Sequence, residues 1–303
     1  MASLLKKYAY YFVLAFLLVA ETSANPLTVL LDWKPNIHHI GFYVAQKFYE
    51  QKGIKVRLLH PPQTAATLLV AQSKADFALA TLDDYLHARD AGLPLKAVAA
   101  VLQKDTSCFA WRADLTTLTN PKSFAGHRYG GWGSPEEKAV LRYLMGAAFS
   151  KLTMVNIGQE DFLLAVPRHA DIIWEYEEWN ILRAQREGLK VGVYCPARHH
   201  AVFDRPNLLL VAHARKASSF AAFLEATSQG YQESVRHPHV SAQLFASQLS
   251  LFDPHFIEAS LVKLGPSLLD AKGQWGTLSS ARMIRYAQWM KEQGLIRRIP
   301  SDL

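Results

Sequence analysis

Leu27-Thr-Val-Leu-Leu-Asp-Trp-Lys-Pro-Asn-Ile-His-His-Ile-Gly41, with the stretch to Leu59 that follows it, decides the fold class. Leu27–Asp32 is rich in β-forming residues and bounded by Pro26 and Pro35, which reads as a buried strand. From about His39 to Gln51, Ile40, Tyr43, Val44, Phe48 and Tyr49 recur at spacings of three and four, an apolar stripe on a helix that Gly53 ends. Ile54-Lys-Val-Arg-Leu-Leu59 alternates as a second strand. A helix over Thr64–Ser73, a strand over Asp76–Ala80 and a helix over Asp83–Ala91, closed by Gly92 and Pro94, continue the pattern. Strands that alternate with helices predict an α/β domain with a largely parallel sheet.

Further along, Leu95–Gln103 and Ser107–Arg112 read as strands, Thr116–Ala125 as a loop and Pro135–Phe149 as a helix. The segments 127–130, 153–157, 170–173, 189–194 and 208–212 read as further strands, and the pattern is helical from Ser218 onward. At 303 residues the chain has room for two domains, yet no Ser/Gly linker divides it. The connection is therefore expected to run through strands, with the middle of the chain inserted into a discontinuous first domain.

Residues 1–24 read as an address and not as fold. Lys6 and Lys7 precede the uncharged run Tyr8–Ala20, and Thr22-Ser23-Ala24 supplies small residues for cleavage, the layout of a secretory signal peptide. Glu21 and Pro26 close the run before the roughly 20 apolar residues a spanning helix needs. Cleavage after Ala24 and export are expected. Cys108 and Cys195 then meet an oxidising compartment, where they either bridge or stay as separate buried thiols; their spacing does not choose. The net charge of +7 comes from scattered Lys and Arg, and no basic stripe interleaves with aromatics, which argues against a nucleic-acid partner. His38-His39, His199-His200 and His237/His239 lack helical metal-ligand spacing, so neither metal nor cofactor is expected.

Three constellations stand out. In the first, Asp32, Trp33, Asn36 and His39 follow a strand and precede a helix, where open α/β sheets bind ligands; Gly41 lets a backbone approach. In the second, Tyr129-Gly-Gly-Trp-Gly-Ser-Pro-Glu-Glu137, Ser134 and Glu137 form a capping box with Pro135 at the first helical position. Its helix start is read as offering free N–H groups beside Trp132 and Gly133. Glu137 reads as a first-turn acid, while Glu136 is open to a binding role. The segment lacks the full dinucleotide fingerprint and the glycines of a nucleophile elbow. In the third, Asp171-Ile-Ile-Trp-Glu-Tyr-Glu-Glu-Trp179, a strand is expected to pass into a helix start carrying Trp174, Glu175 and Tyr176. Aromatic faces beside a carboxylate suit a flat, nitrogen-rich heterocycle.

Leu31-Asp-Trp-x-Pro-Asn-x-x-His-x-Gly41 followed by Tyr43-Val-Ala-Gln resembles the opening signature of the NMT1/THI5-like family, which holds substrate-binding proteins of ABC importers and fungal pyrimidine synthases. The 129–137 loop and Asp171, Trp174 and Trp179 resemble the members that bind the formylaminopyrimidine precursor of thiamine. The resemblance implies an α/β, type II periplasmic-binding-protein fold: 25–112 with 206–303 as the first lobe, 113–205 as the second, and hinge strands near Cys108–Arg112 and Phe203–Val211. It implies a cleft reached by Asp32, Trp33, Asn36, His39, Thr81 and Asp83 from one lobe and by Trp132, Gly133, Ser134, Glu136, Trp174, Glu175 and Tyr176 from the other. It further implies a monomeric periplasmic binding protein, not an enzyme, that hands a pyrimidine to a permease in the inner membrane. A flavin, another heterocycle or a sulfonate is the alternative ligand, and a synthase-like enzyme the alternative activity. The cysteine-rich iron motif of the fungal synthases is absent from the sequence.

Overall fold

The computed structural model describes residues 25–60, 65–158, 160, 162–249 and 253–303; the expected leader lies outside these residues. Its strands are β1 (Leu27–Leu30), β2 (Val56–Leu59), β3 (Phe77–Ala80), β4 (Leu95–Leu102), β5 (Ser107–Arg112), β6 (Arg128–Gly131), β7 (Thr153–Asn156), β8 (Ile172–Tyr176), β9 (Val191–Tyr194) and β10 (Asn207–His213). They form two five-stranded sheets, ordered β2-β1-β3-β10-β4 and β7-β6-β8-β5-β9. In the first, β1 lies parallel to β2 and β3, and β10 is antiparallel to β3 and β4. In the second, β6 lies parallel to β7 and β8, and β5 is antiparallel to β8 and β9. The chain leaves the first sheet over residues 103–106 and returns over 195–206.

Ser107–Arg112 was assigned to the first lobe, with the boundary at residue 112. Instead β5 pairs Ser107 with Tyr176 and Arg112 with Val191, inside the second sheet. Cys108, Phe109, Ala110 and Trp111 are buried there. A strand's own pattern shows that it is buried, not which partner buries it.

The helices include α1 (Ile40–Val44), α2 (Gln46–Gln51), α3 (Ala66–Ala71), α4 (Leu82–Asp90), α5 (Pro135–Met145), α6 (Ala221–Arg236), α7 (Pro238–Leu249), α8 (Pro254–Leu268) and α9 (Ser280–Glu292), beside short helical turns over Phe162–Ala165, Leu182–Arg186 and Pro196–His199. The helix expected over 39–51 is interrupted at Ala45, and the one expected over 135–149 ends at Met145, where Gly146 takes φ +58°. Among the described residues no helix is long and apolar enough to cross a membrane.

Gly41 acts beneath the first constellation and not within it. A Cβ there would sit 2.2 Å from the Tyr231 ring, and a Cβ at Gly230 would sit 2.2 Å from the Gly41 carbonyl oxygen. So α1 and α6 cross glycine to glycine. Gly230→Ala is expected to destabilise the protein by about 1–3 kcal/mol, read as a lowered melting temperature, because the collision is with backbone that has nowhere to go. A variant that melts with the parent would refute the close crossing.

The two lobes touch on both flanks of the crossovers. On one flank Phe203 packs edge-on against Tyr143 of α5 and Trp289 of α9, at 5.4 and 5.2 Å between centroids. On the other, Trp179 packs on Phe256 of α8 at 5.0 Å. Cys108 and Cys195 form a disulfide. They stand opposite each other one step beyond the Phe109–Tyr194 pair of β5 and β9. The open choice between bridge and thiols is thereby decided, and the bridge ties together the two points where the crossovers meet the second sheet.

Candidate functional site

The first constellation is locked from within. Asn36 caps a short 3₁₀ turn, Ile37–His39: its Oδ1 accepts the His38 N–H at 2.9 Å. The Asn36 N–H in turn donates to His39 Nδ1 at 3.2 Å. With Nδ1 accepting, a neutral imidazole carries its proton on Nε2, which faces Asp32 Oδ1 at 2.8 Å. His39 is fully buried, so its ring fixes the turn and aims Asp32. Burial pushes the Asp32 carboxyl up, but the hydrogen bond from His39 and the electrostatic attraction of the His39 and His38 rings outweigh it and hold the group below its ordinary 3.8. A folded value below the unfolded one gives stability that is present above the unfolded value and lost as pH falls through the folded one. Asp32→Asn is therefore expected to flatten the loss of stability between about pH 5 and pH 2, followed as urea midpoints across that range. An unchanged acid slope would refute the pairing.

Trp33 escapes this lock. It lies three residues past the end of β1 and is 38% exposed. In the second constellation Trp132 follows β6 directly and is 57% exposed. The capping box is present: Ser134 Oγ accepts the Glu137 N–H at 3.1 Å, and Glu137 Oε2 accepts the N–H groups of Gly133 and Ser134 at 2.7 and 3.0 Å. This corrects the view of that helix start as an open set of donors, since Glu137 takes two of them. Gly133, at φ +82°, makes the turn that sets Trp132 out. Glu136 faces the other lobe, where its Oε1 lies 2.6 Å from His87 Nε2 on α4.

The third constellation is a strand, not a helix start. Trp174, Glu175 and Tyr176 complete β8, and a single π turn over Glu177–Ile181 follows. Trp174 is half-buried and leans on Phe109 at 4.9 Å. Glu175 Oε2 accepts from Asn180 Nδ2 at 2.5 Å. Tyr176 meets the edge of the His38 ring at 4.6 Å. Its hydroxyl is pushed well above the ordinary value by burial first, then by the carboxylates of Asp105, Asp32 and Glu178.

Three residues outside the expected set, Glu178, Tyr231 and Arg205, join these segments. Glu178, 1% exposed, lies 2.5 Å from His38 Nε2 and accepts from the Thr106 hydroxyl at 2.8 Å, while its backbone carbonyl accepts from Ser260 of α8. The Tyr231 hydroxyl donates to the His38 carbonyl at 2.7 Å. Arg205, at the return crossover, pairs with Asp83 and Asp105. Thr81 caps α4 through the Asp84 N–H, at 3.1 Å, and Asp83 accepts from Tyr286 as well as Arg205. The lone charges in the sequence carried no sign of these long-range partners.

Cys108, Cys195 and Glu177 are close enough to hold an ion, but both sulfurs belong to the disulfide and Glu177 pairs with Arg198 and Lys263. Surface hollows of about 350 Å³ beside Pro26, Arg57 and Lys74 and about 430 Å³ beside Val235, Leu261 and Pro266 hold no candidate residue.

Two sheets of this topology, exchanging the chain twice, define the type II periplasmic-binding-protein fold. The chain belongs to the NMT1/THI5-like family, whose model matches residues 36–241. It is 25% identical over 231 residues to the formylaminopyrimidine-binding protein of Halalkalibacterium halodurans, covering 72% of this chain and 69% of that one. A 4-amino-5-hydroxymethyl-2-methylpyrimidine phosphate synthase of Saccharomyces cerevisiae is 29% identical over 85 residues, 27% of this chain and 25% of the synthase. Among solved structures, the periplasmic aliphatic sulphonate binding protein SsuA of Escherichia coli superposes with a TM-score of 0.69 at 15% identity, over 91% of this chain and 90% of that one.

Proposed function

We propose that this protein is the solute-binding component of an ABC importer and that it captures a pyrimidine precursor of thiamine, of the formylaminopyrimidine or hydroxymethylpyrimidine type, between its lobes. The observation that carries the reading is the placement of Trp33 and Trp132. Each follows the carboxyl end of a parallel strand, one in each sheet, and each leaves a large indole in solvent. The carboxyl ends of strands are where such sheets bind ligands, and an exposed indole there favours a flat guest. Trp174, in the middle of β8, supplies a third ring. The name of the Halalkalibacterium relative supports the same ligand class.

In this reading the lobes are 25–102 with 207–303, and 107–194, and they close about the crossovers. Residues 1–24 direct export to the periplasm and are cleaved off after Ala24, and the loaded monomer delivers its ligand to an inner-membrane permease. Binding without chemistry fits the state of the candidate groups, because His39, Glu136, Glu137 and Asp83 are each engaged by the protein itself.

Titration with formylaminopyrimidine is expected to quench or shift tryptophan fluorescence and to raise the melting temperature. Trp132→Ala is expected to weaken binding about tenfold or more, the size of one lost stacking face. No response to any pyrimidine at millimolar concentration would overturn the ligand assignment and leave the fold untouched.

A further inference from the structure

Arg205 is 5% exposed and carries its contacts unevenly. Nη2 reaches Asp83 at 3.1 Å, Asp105 at 3.3 Å and the Tyr286 hydroxyl at 3.5 Å. The guanidinium carbon lies 4.1 Å from the centre of the Tyr286 ring. Nε and Nη1 are buried and have no acceptor among the described residues. Buried N–H groups of a charged side chain are normally satisfied, and leaving them so is costly. Orphan indole nitrogens also occur on Trp174, Trp275 and Trp289, but each is a single neutral donor. Arg205 leaves two nitrogens of one cation without a partner.

Its position matters as much. Asp83 stands in the first turn of α4, Asp105 in the outward crossover and Arg205 in the return. Tyr176, at the end of β8 in the other lobe, is close enough that Arg205 opposes the effect of the carboxylates on its hydroxyl. Arg205 therefore sits where the two crossovers meet the first turn of α4, in contact with Asp83, one of the residues expected to meet the ligand.

We propose that Arg205 reads the ligand by donating from its unpaired N–H groups to a neutral oxygen acceptor, a carbonyl of the formamide kind. The acceptor is neutral because Asp83 and Asp105 already offset the guanidinium charge. A sulfonate would add a third negative charge against one cation, with Asp32 and Glu178 near Tyr176 as well. It is an oxygen because an arginine offers donors only. The inference rests on the pyrimidine reading above and adds to it which part of the molecule is recognised and by what.

The test compares formylaminopyrimidine with the hydroxymethylpyrimidine, which lacks the carbonyl, by calorimetry on the parent and on Arg205→Lys. The parent is expected to prefer the formyl compound by about tenfold or more, and Arg205→Lys to lose that preference while holding the hydroxymethyl compound within about threefold. In parallel, the infrared band of a carbon-13-labelled formyl group is expected to move to lower frequency on binding the parent and to stay near its solution value on the variant. Equal loss of both pyrimidines in Arg205→Lys would overturn the proposal, leaving Arg205 a support for Asp83 and Asp105. An unmoved carbonyl band in the parent would overturn it without needing the variant to fold. Tight binding of an alkanesulfonate that depends on Arg205 would overturn the neutral acceptor. A parent that binds neither pyrimidine would refute the function reading itself, and this one with it.

Discussion

Reduction of the Cys108–Cys195 bridge is expected to lower the free energy of unfolding by about 4–5 kcal/mol. The bridged residues are 87 positions apart, so the bridge closes a long loop in the unfolded chain. On the chain-entropy account a loop of that length contributes about 4–5 kcal/mol, mostly by restricting the unfolded ensemble. The chain has two cysteines, so no other pairing can replace the lost one. Urea unfolding of the oxidised and reduced protein measures the effect. The midpoint is expected to fall and the slope with denaturant to rise, because the reduced unfolded chain exposes more surface. Coincident curves would mean that the folded protein carries two thiols.

Glu178→Ala is the second change with a large expected cost, about 3–5 kcal/mol. Glu178 is 1% exposed and faces His38 of the other lobe and Thr106 of the outward crossover. Alanine would leave an imidazole and a hydroxyl buried without an acceptor, and the cavity would add to the loss. Glu178→Gln keeps an oxygen in place and is expected to cost less. A cycle with Thr106→Val would separate the shared hydrogen bond from simple packing. If the alanine variant unfolded with the parent, the contact between the π turn and the first lobe would be a surface feature.

Local rules made much of the fold readable. β1, β3 and α4 fall within a residue or two of where alternation and Gly92–Pro94 place them. The capping box at Ser134 and Glu137 is present because both partners lie within one helical turn. The failures share a cause. Trp174–Tyr176 were expected at a helix start because acidic residues cluster there, yet Ile172–Tyr176 is a β-rich run that Cys108 and Phe109 pair with across the sheet. Asn36 and His39 are expected at the ligand, and nothing in the sequence says that a three-residue turn is short enough for each to engage the other. His38–Glu178 spans 140 positions and Arg205–Asp83 spans 122, and no periodicity announces such pairs. What a lone arginine beside Pro206 is for becomes visible only when two distant aspartates arrive around it.

The disulfide has a mechanical consequence. Two independent straps would let one half of the molecule bend, slide and twist against the other. Pinning the straps together at their shared end, as Cys108 and Cys195 do, leaves one dominant axis of rotation. A label pair on the opposing rims would then report a single opening angle wherever along the rim it is placed, and cutting the pin would give different pairs different answers.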